Sequence, residues 1–349
     1  MSTTEVPSPH ATIADALAEG WSETSRTADL HYVSGKGGTG KTTVATALAL
    51  ALASSGKKVL LVEVEERQGI ARIFDRDPLP YREELVARVD GGGEVHALAI
   101  DVEAAMLEYL DTFYHLGVVG KAMKSVGAIE FATTIAPGLK DVLLTGKVYE
   151  AATREPGARQ KETVYDAVVV DSPPTGRIGR FLDVTSAMAD LASGGPIRRQ
   201  AEAVTSLVHS PRTVVHLVTL LESLPVQETL EAIDELAALD ITVGQVIVNR
   251  AAPRRLDDAG LERMAAEDVD AEDVLAGLRE AGLGADDSDL EGLLVEAIEH
   301  ARVARGQLAA AATLAGADSA TMVLPALADG VDVAGLYDLA SAFVEQGVR

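Results

Sequence analysis

The segment Ser34-Gly35-Lys36-Gly37-Gly38-Thr39-Gly40-Lys41-Thr42-Thr43 constrains the fold more than any other stretch of this chain. It is a P-loop by spacing, with Gly35, Gly40, Lys41 and Thr42 in the required places and a second lysine, Lys36, inside it. Ahead of it runs Leu30-His31-Tyr32-Val33, a short buried-strand candidate, and behind it Thr43 to Leu52 has helix-forming composition. Strand, glycine-rich loop and helix stand in the order such a loop needs. The glycines let successive N–H groups converge on phosphate oxygens at a helix N-terminus, where the dipole favours anions. The segment therefore reads as a nucleotide site, with Gly35, Gly37, Gly38, Thr39, Gly40 and Thr43 around the phosphates. Lys41 would reach the β/γ-phosphates and Thr42 would ligate Mg2+.

Apolar, β-branched runs recur at Lys58 to Glu63, Val95 to Ile100, Tyr165 to Asp171, Thr213 to Leu220, Ile241 to Asn249 and Thr321 to Leu324. Segments of helical periodicity separate them, which predicts a doubly wound α/β core, a mostly parallel sheet with helices on both faces. Residues 101 to 155 interrupt this rhythm with three expected helices: Asp101 to Leu116, Lys121 to Glu130 and Gly138 to Thr153. The first carries Met106, Leu107, Tyr109, Leu110, Phe113, Tyr114 and Leu116, a stripe whose default reading is core packing and whose sharper reading is a ligand groove. A second helical run, Asp257 to Leu314, is rich in acidic residues and alanine. Residues 1 to 28 are mostly polar, with Ile13 to Ala18 as a short helix. The expected organisation is an extension at 1–28 and one nucleotide-binding domain over 29–349, with a helical insertion at about 101–155.

Thirty Lys and Arg stand against 54 Asp and Glu in 349 residues, a formal charge of −24. Such a surface repels phosphate backbones and anionic lipid, which argues against nucleic-acid partners and against constitutive membrane attachment. The chain has no cysteine, which excludes disulfides, thiolate metal sites and thiol nucleophiles. No basic n-region followed by an apolar h-region opens it, and no apolar stretch reaches about 18 residues. The expected location is cytoplasmic.

Phosphoryl transfer needs a metal site, a group to orient the attacking water, and charge on the transferring phosphoryl group. Val168-Val169-Val170 ends in Asp171, as expected of a Walker B acid, and Ser172-Pro173-Pro174-Thr175-Gly176 follows as a switch-loop candidate or a stiff turn. Leu60-Leu61-Val62-Glu63-Val64-Glu65 places two carboxylates on one side of a strand end. Glu65 would orient water or contact the metal, with Glu63 in support. Lys36 is either an exposed lysine in a glycine-rich loop or a cation that reaches a partner's phosphates as an arginine finger does.

Gly-Lys-Gly-Gly-Thr-Gly-Lys-Thr at 35–42 matches the deviant Walker A signature of the ParA, MinD and ArsA class of P-loop ATPases. Within that class the chain resembles the ArsA branch. Asp171 to Leu182 looks like its switch II, usually Asp-Thr-Ala-Pro-Thr-Gly-His with an Arg-Phe-Leu ending. Ala99-Ile100-Asp101, Pro137-Gly138, Glu228-Thr229 and Val246 to Arg250 follow in family order, so the resemblance covers roughly residues 30 to 340. Val62-Glu63-Val64-Glu65 is similar to switch I of an actinobacterial subgroup of ArsA-like anion-transporting ATPases. The resemblance implies ATP and Mg2+ as ligands, Lys36 acting across a dimer, Glu65 in place of the switch I aspartate and Asp171 as the Walker B acid. It also implies that Asn249 reads adenine and that the loop around Pro325 closes over the base.

The departures are specific. Glu65-Glu66 replaces the usual Asp-Pro, and Arg177 replaces the switch II histidine. Without cysteine, neither the thiol site of arsenite pumps nor a Cys-x-x-Cys zinc clasp can form, and only six methionines argue against an adaptive groove for transmembrane clients. What the resemblance implies is a dimeric ATP hydrolase coupled to a membrane transporter or to a paralogous ATPase subunit, as homodimer or heterodimer. The rival expectation is an ATP-gated chaperone or scaffold in which hydrolysis is slow.

Overall fold

The computed structural model describes residues 13, 17, 20–114, 138–155, 164–183, 196–253, 255–284, 287–317, 319–327 and 330–349. Among them one sheet holds eight strands: β1 (Leu30–Gly35), β2 (Lys58–Glu63), β3 (Glu84–Arg88), β4 (Glu94–Ala99), β5 (Ala167–Asp171), β6 (Thr213–Thr219), β7 (Val243–Ala251) and β8 (Thr321–Pro325). Their spatial order is β3-β4-β2-β5-β1-β6-β7-β8, and every neighbouring pair is parallel except β3 against β4.

The helices are α1 (Glu23–Thr27), α2 (Lys41–Ala53), α3 (Gly69–Ile73), α4 (Val102–Tyr114), α5 (Leu139–Thr153) and α6 (Thr175–Leu182), then α7 (Pro196–Val208), α8 (Ser223–Ala238), α9 (Asp258–Ala265), α10 (Ala271–Glu280), α11 (Asp287–Leu314) and α12 (Val333–Glu345). They cover both faces of the sheet, the doubly wound α/β arrangement that the alternating runs predict. None of them is long and apolar enough to cross a membrane.

The strands read as continuous apolar runs because both faces are covered. Successive residues alternate between two cores: Leu60, Val62, Val168 and Val170 join Met106, Tyr109, Leu143 and Phe181 on one face. Val59, Leu61 and Val169 meet α2 and α12 on the other. α2 is apolar on all sides and buried from Val44 to Ala53, as suits a helix enclosed between the sheet and α12. β1 lies between β5 and β6, while the strand next in sequence, β2, lies beyond β5. That reversal opens a crevice at the carboxyl ends of the strands, where doubly wound sheets bind ligands.

The structure adds elements that periodicity does not reveal. β3 is an antiparallel edge strand with charges at both ends and one fully buried residue, Val86, joined to β4 through the Gly91-Gly92 turn. The run from Asp257 to Leu314 divides into three helices. Leu261 of α9 packs on Ala301 and Ala304 of α11, whereas α10 has no buried residue. α4 and α5 occupy the first and third helical segments expected in the insertion; Lys121 to Glu130 and Pro137 lie outside the described residues.

Ahead of β1, Ile13, Leu17 and Trp21 are buried. The Trp21 ring stacks on His216 at 5.2 Å, and its backbone N–H donates to the Gln346 carbonyl at 2.9 Å. Below it, His31 Nδ1 and His216 Nε2 are 3.0 Å apart and fully enclosed.

Candidate functional site: a phosphate loop at the centre of the sheet

β1 runs directly into the loop, and its exit is too tight for a side chain. A Cβ on Gly35 would stand 2.2 Å from the Val218 carbonyl oxygen of β6. Gly40, at φ +89°, is the left-handed N-cap of α2, and a Cβ there would meet Asn249 Nδ2 at 2.5 Å. Gly37 and Gly38 form the exposed tip, and Thr39 folds back so that its hydroxyl donates to the Lys36 carbonyl at 2.9 Å. Thr39 and Lys41 are buried, and Thr42 and Thr43 are half-buried in the first turn of α2. The loop therefore presents backbone N–H groups and one lysine at a helix N-terminus, a cradle for an anion.

The carboxylates converge from neighbouring strand ends. Glu63 of β2 and Asp171 of β5 are paired in the strand register. Thr42 Oγ1 donates to Asp171 Oδ2 at 2.6 Å. Burial, opposed by that hydrogen bond and reinforced by Glu63 and Glu65, pushes the Asp171 carboxyl up to about 6. Burial lowers Lys41 from the ordinary lysine value against the pull of Asp171 and Glu65. Glu63 is 1% exposed; its Oε2 accepts from the Ile70 N–H at 3.1 Å, while its Oε1 is buried with no hydrogen-bond partner.

Three carboxylates, Glu63, Glu65 and Asp171, thus surround the buried Lys41 end of the loop. A hydroxyl beside a buried, destabilised carboxylate fits Mg2+, which takes one or two protein oxygens and completes its octahedron with phosphates and water. Among the described residues no group of three or more acidic or histidine side chains forms a metal cage.

Beyond β2 the chain folds over the loop. Glu66 and Gln68 both hold left-handed backbone conformations, at φ 57° and 54°, and Gln68 is fixed there by two hydrogen bonds to the Leu79 backbone. Glu65 is largely buried, with Arg67 Nη2 at 3.5 Å and Arg177 Nη1 at 4.0 Å. Arg177, in the first turn of α6, also lies 3.8 Å from Asp141 of α5, and Lys140 beside it pairs with Glu66 at 3.2 Å. Ionic contacts thus join this loop to the start of α5.

On the far side of the phosphate loop, Asn249 is 4% exposed. Its Nδ2 donates to the Thr39 carbonyl at 2.8 Å, and its Oδ1 accepts from the Arg250 N–H at 3.0 Å. Pro325 ends β8 opposite Ala251, next to the hydrogen bond from Ala326 N–H to the Ala251 carbonyl. The expected residues thus lie along one edge, on the ends of β1, β2, β5, β7 and β8 and the loops leaving them.

Lys36 does not point into its own loop. Its Nζ is 2.7 Å from Glu228 Oε1 on α8. Neither that pairing nor the Asn249–Thr39 bond has a local signal, because the partners are about 200 residues apart in sequence.

Residues 29–194 match the model of the ArsA-type family described as anion-transporting ATPase. The chain is 56% identical over 330 residues to ATPase BagA of Mycobacterium tuberculosis, covering 95% of this chain and 96% of that protein. It is 27% identical over 239 residues to an arsenical pump-driving ATPase of Escherichia coli, covering 64% of this chain and 39% of that one. It is 25% identical over 269 residues to an ATPase ASNA1 homolog of Entamoeba dispar, covering 66% and 78%.

Proposed function

The chain belongs to the ArsA family of anion-transporting ATPases, and from that premise we propose that it closes as a dimer around Mg·ATP and couples hydrolysis to a conformational change in a partner. The observation that carries this reading is the contact of Thr42 with Asp171 at 2.6 Å beside the buried Lys41. In it, Lys41 and the N–H groups of residues 35–43 hold the phosphates, and Thr42 and Asp171 hold Mg2+. The metal, when bound, neutralises charge that builds on the phosphate oxygens. Glu65 orients the attacking water and accepts its proton, while Arg67 and Arg177 hold the carboxylate in position. Lys36 crosses to the partner subunit's nucleotide and stabilises the transferring phosphoryl group. Asn249 and Pro325 flank the base.

The partner in this reading is an anion or solute transporter, or a paralogous ATPase that completes a heterodimer in place of a homodimer. Relatives named as pump-driving ATPases support the transporter, while the absence of cysteine argues against arsenite held by thiolates. A charge of −24 argues against a nucleic-acid partner and accords with a cytoplasmic protein. We read residues 29–349 as one ATPase domain with its helical insertion at about 101–155, and residues 1–28 as an extension. The test is kinetic: Lys41→Ala abolishes nucleotide binding or turnover, whereas Lys36→Ala spares binding and lowers turnover by about 1000-fold, as loss of a trans-acting cation does. Unchanged steady-state hydrolysis in both variants would sink the assignment.

A second reading, an ATP-gated chaperone or scaffold with slow turnover, draws on the insertion. A cavity of about 460 Å³ lies between α4, α5 and α7, with Tyr81, Tyr109, Leu143, Gly146 and Gln200 in its wall. This is within the size range of small-ligand sites. α5 lines it and also carries Lys140 and Asp141, which meet Glu66 and Arg177. Tight ATP binding with negligible turnover, in the presence of Mg2+ and each candidate partner, would favour this reading.

A further inference from the structure

Lys36 and Glu228 form a close, half-shielded ion pair, with Nζ to Oε1 at 2.7 Å and side chains 29% and 33% exposed. The two residues come from neighbouring connections at the nucleotide edge, the loop after β1 and the second turn of α8, which follows the adjacent strand β6. Thr39 tightens the same turn through its hydrogen bond to the Lys36 carbonyl, so the backbone of Lys36 is fixed while its side chain reaches outward. A lysine held in this way cannot also contact a phosphate on a second subunit. One carboxylate in a partly hydrated place is a weak restraint, however, and a nucleotide's polyphosphate carries several negative charges.

We propose that Glu228 is a counter-ion latch, which keeps Lys36 on its own subunit until the phosphates presented by a second copy of the chain displace it. The proposal rests on the reading that Lys36 acts across a dimer. Glu228 does not touch the reacting atoms; it is a positioning residue that opposes premature closure. It also hides an ammonium that would otherwise bind free phosphate. Closure then requires a triphosphate on the facing subunit, which ties assembly to nucleotide state.

Two readouts separate the latch from the dimer. In the nucleotide-free full-length chain, acylation of Lys36 by an amine-selective reagent, followed by peptide mass spectrometry, should proceed about three-fold faster in Glu228→Gln, because Nζ must leave the shielding contact with Glu228 before its neutral amine can reach the reagent. An unchanged Lys36 rate would overturn the latch whatever the assembly state.

Sedimentation with a non-hydrolysable ATP analogue and Mg2+ gives the second readout. Glu228→Gln should associate at about five-fold lower protein concentration than the wild type, or about 1 kcal/mol. The double variant Lys36→Gln/Glu228→Gln should behave as Lys36→Gln alone, since Glu228 acts only through the lysine. An equal shift in the Lys36→Gln background would overturn the proposal, because the effect would then be lower repulsion between two acidic surfaces. Faster acylation without analogue-dependent association in any variant would overturn the dimer reading, and with it the latch's role in closure.

Discussion

Asn249 Nδ2 stands 2.8 Å from the Thr39 carbonyl oxygen, so the side chain we propose to flank the base is also a strut of the glycine-rich loop. Replacing it with alanine leaves that carbonyl without its donor and costs about 1–2 kcal/mol. Asn249→Ala should therefore weaken ATP and ADP together, by about ten-fold in Kd, when measured by calorimetry. A loss confined to ATP would show that the strut does not serve the loop.

Glu65 lies two residues beyond the end of β2, and its ionic neighbours are two arginines. Glu65→Gln keeps the shape and removes the base, so kcat should fall at least about 100-fold while ATP affinity changes less than about three-fold. Single-turnover and binding measurements together check this. An equal loss in binding would place Glu65 in nucleotide retention.

The Thr42 hydroxyl and the Asp171 carboxylate are already in contact. Thr42→Ser retains the oxygen and should keep the Mg2+ requirement, whereas Thr42→Ala should raise the half-saturating Mg2+ concentration about ten-fold, or about 1.4 kcal/mol. Titration of activity with Mg2+ at fixed ATP distinguishes the two. Identical curves for serine and alanine would remove Thr42 from the metal site.

His31 and His216 sit under Trp21 with their basicity reduced. Burial, followed by the nearby Lys57, lowers His31 to about 3, and burial, followed by His31, lowers His216 well below 6.5. Between about 6.5 and about 3 the unfolded chain binds more protons than the folded one, so the stabilisation is complete above 6.5 and is lost as pH falls toward 3. The melting temperature should drop steeply across that interval, and His216→Asn should flatten the slope by about half. Parallel profiles for the two proteins would show that other groups govern acid stability.

Local spacing carries the nucleotide loop, the strand ending in Asp171 and the pair Glu63 and Glu65, because each is defined by residues within one short segment. The parallel sheet is equally legible: its strands are buried on both faces and show as unbroken apolar runs. β3 escapes notice because it has one solvated side and only Val86 fully buried. Trp21 escapes because an otherwise polar stretch contributes a single large ring, whose value lies in meeting two histidines about 10 and 195 residues away. The contacts of Lys36 with Glu228 and of Arg177 with Asp141 depend on which helix ends meet at the sheet edge, a property of topology that local pattern does not encode.

The bond from Trp21 to Gln346 and the pairing of Lys57 Nζ with the Arg349 carbonyl at 2.7 Å bring the start of the described core and its last residue to the corner where the strands begin. The nucleotide edge is the opposite rim of the sheet. A surface or fusion tether fixed at Arg349 would therefore present that rim outward, with the exposed loop tip at Gly37 and Gly38 toward a second molecule. Immobilised chains of this kind offer a direct way to watch one subunit capture another as nucleotide is added and withdrawn.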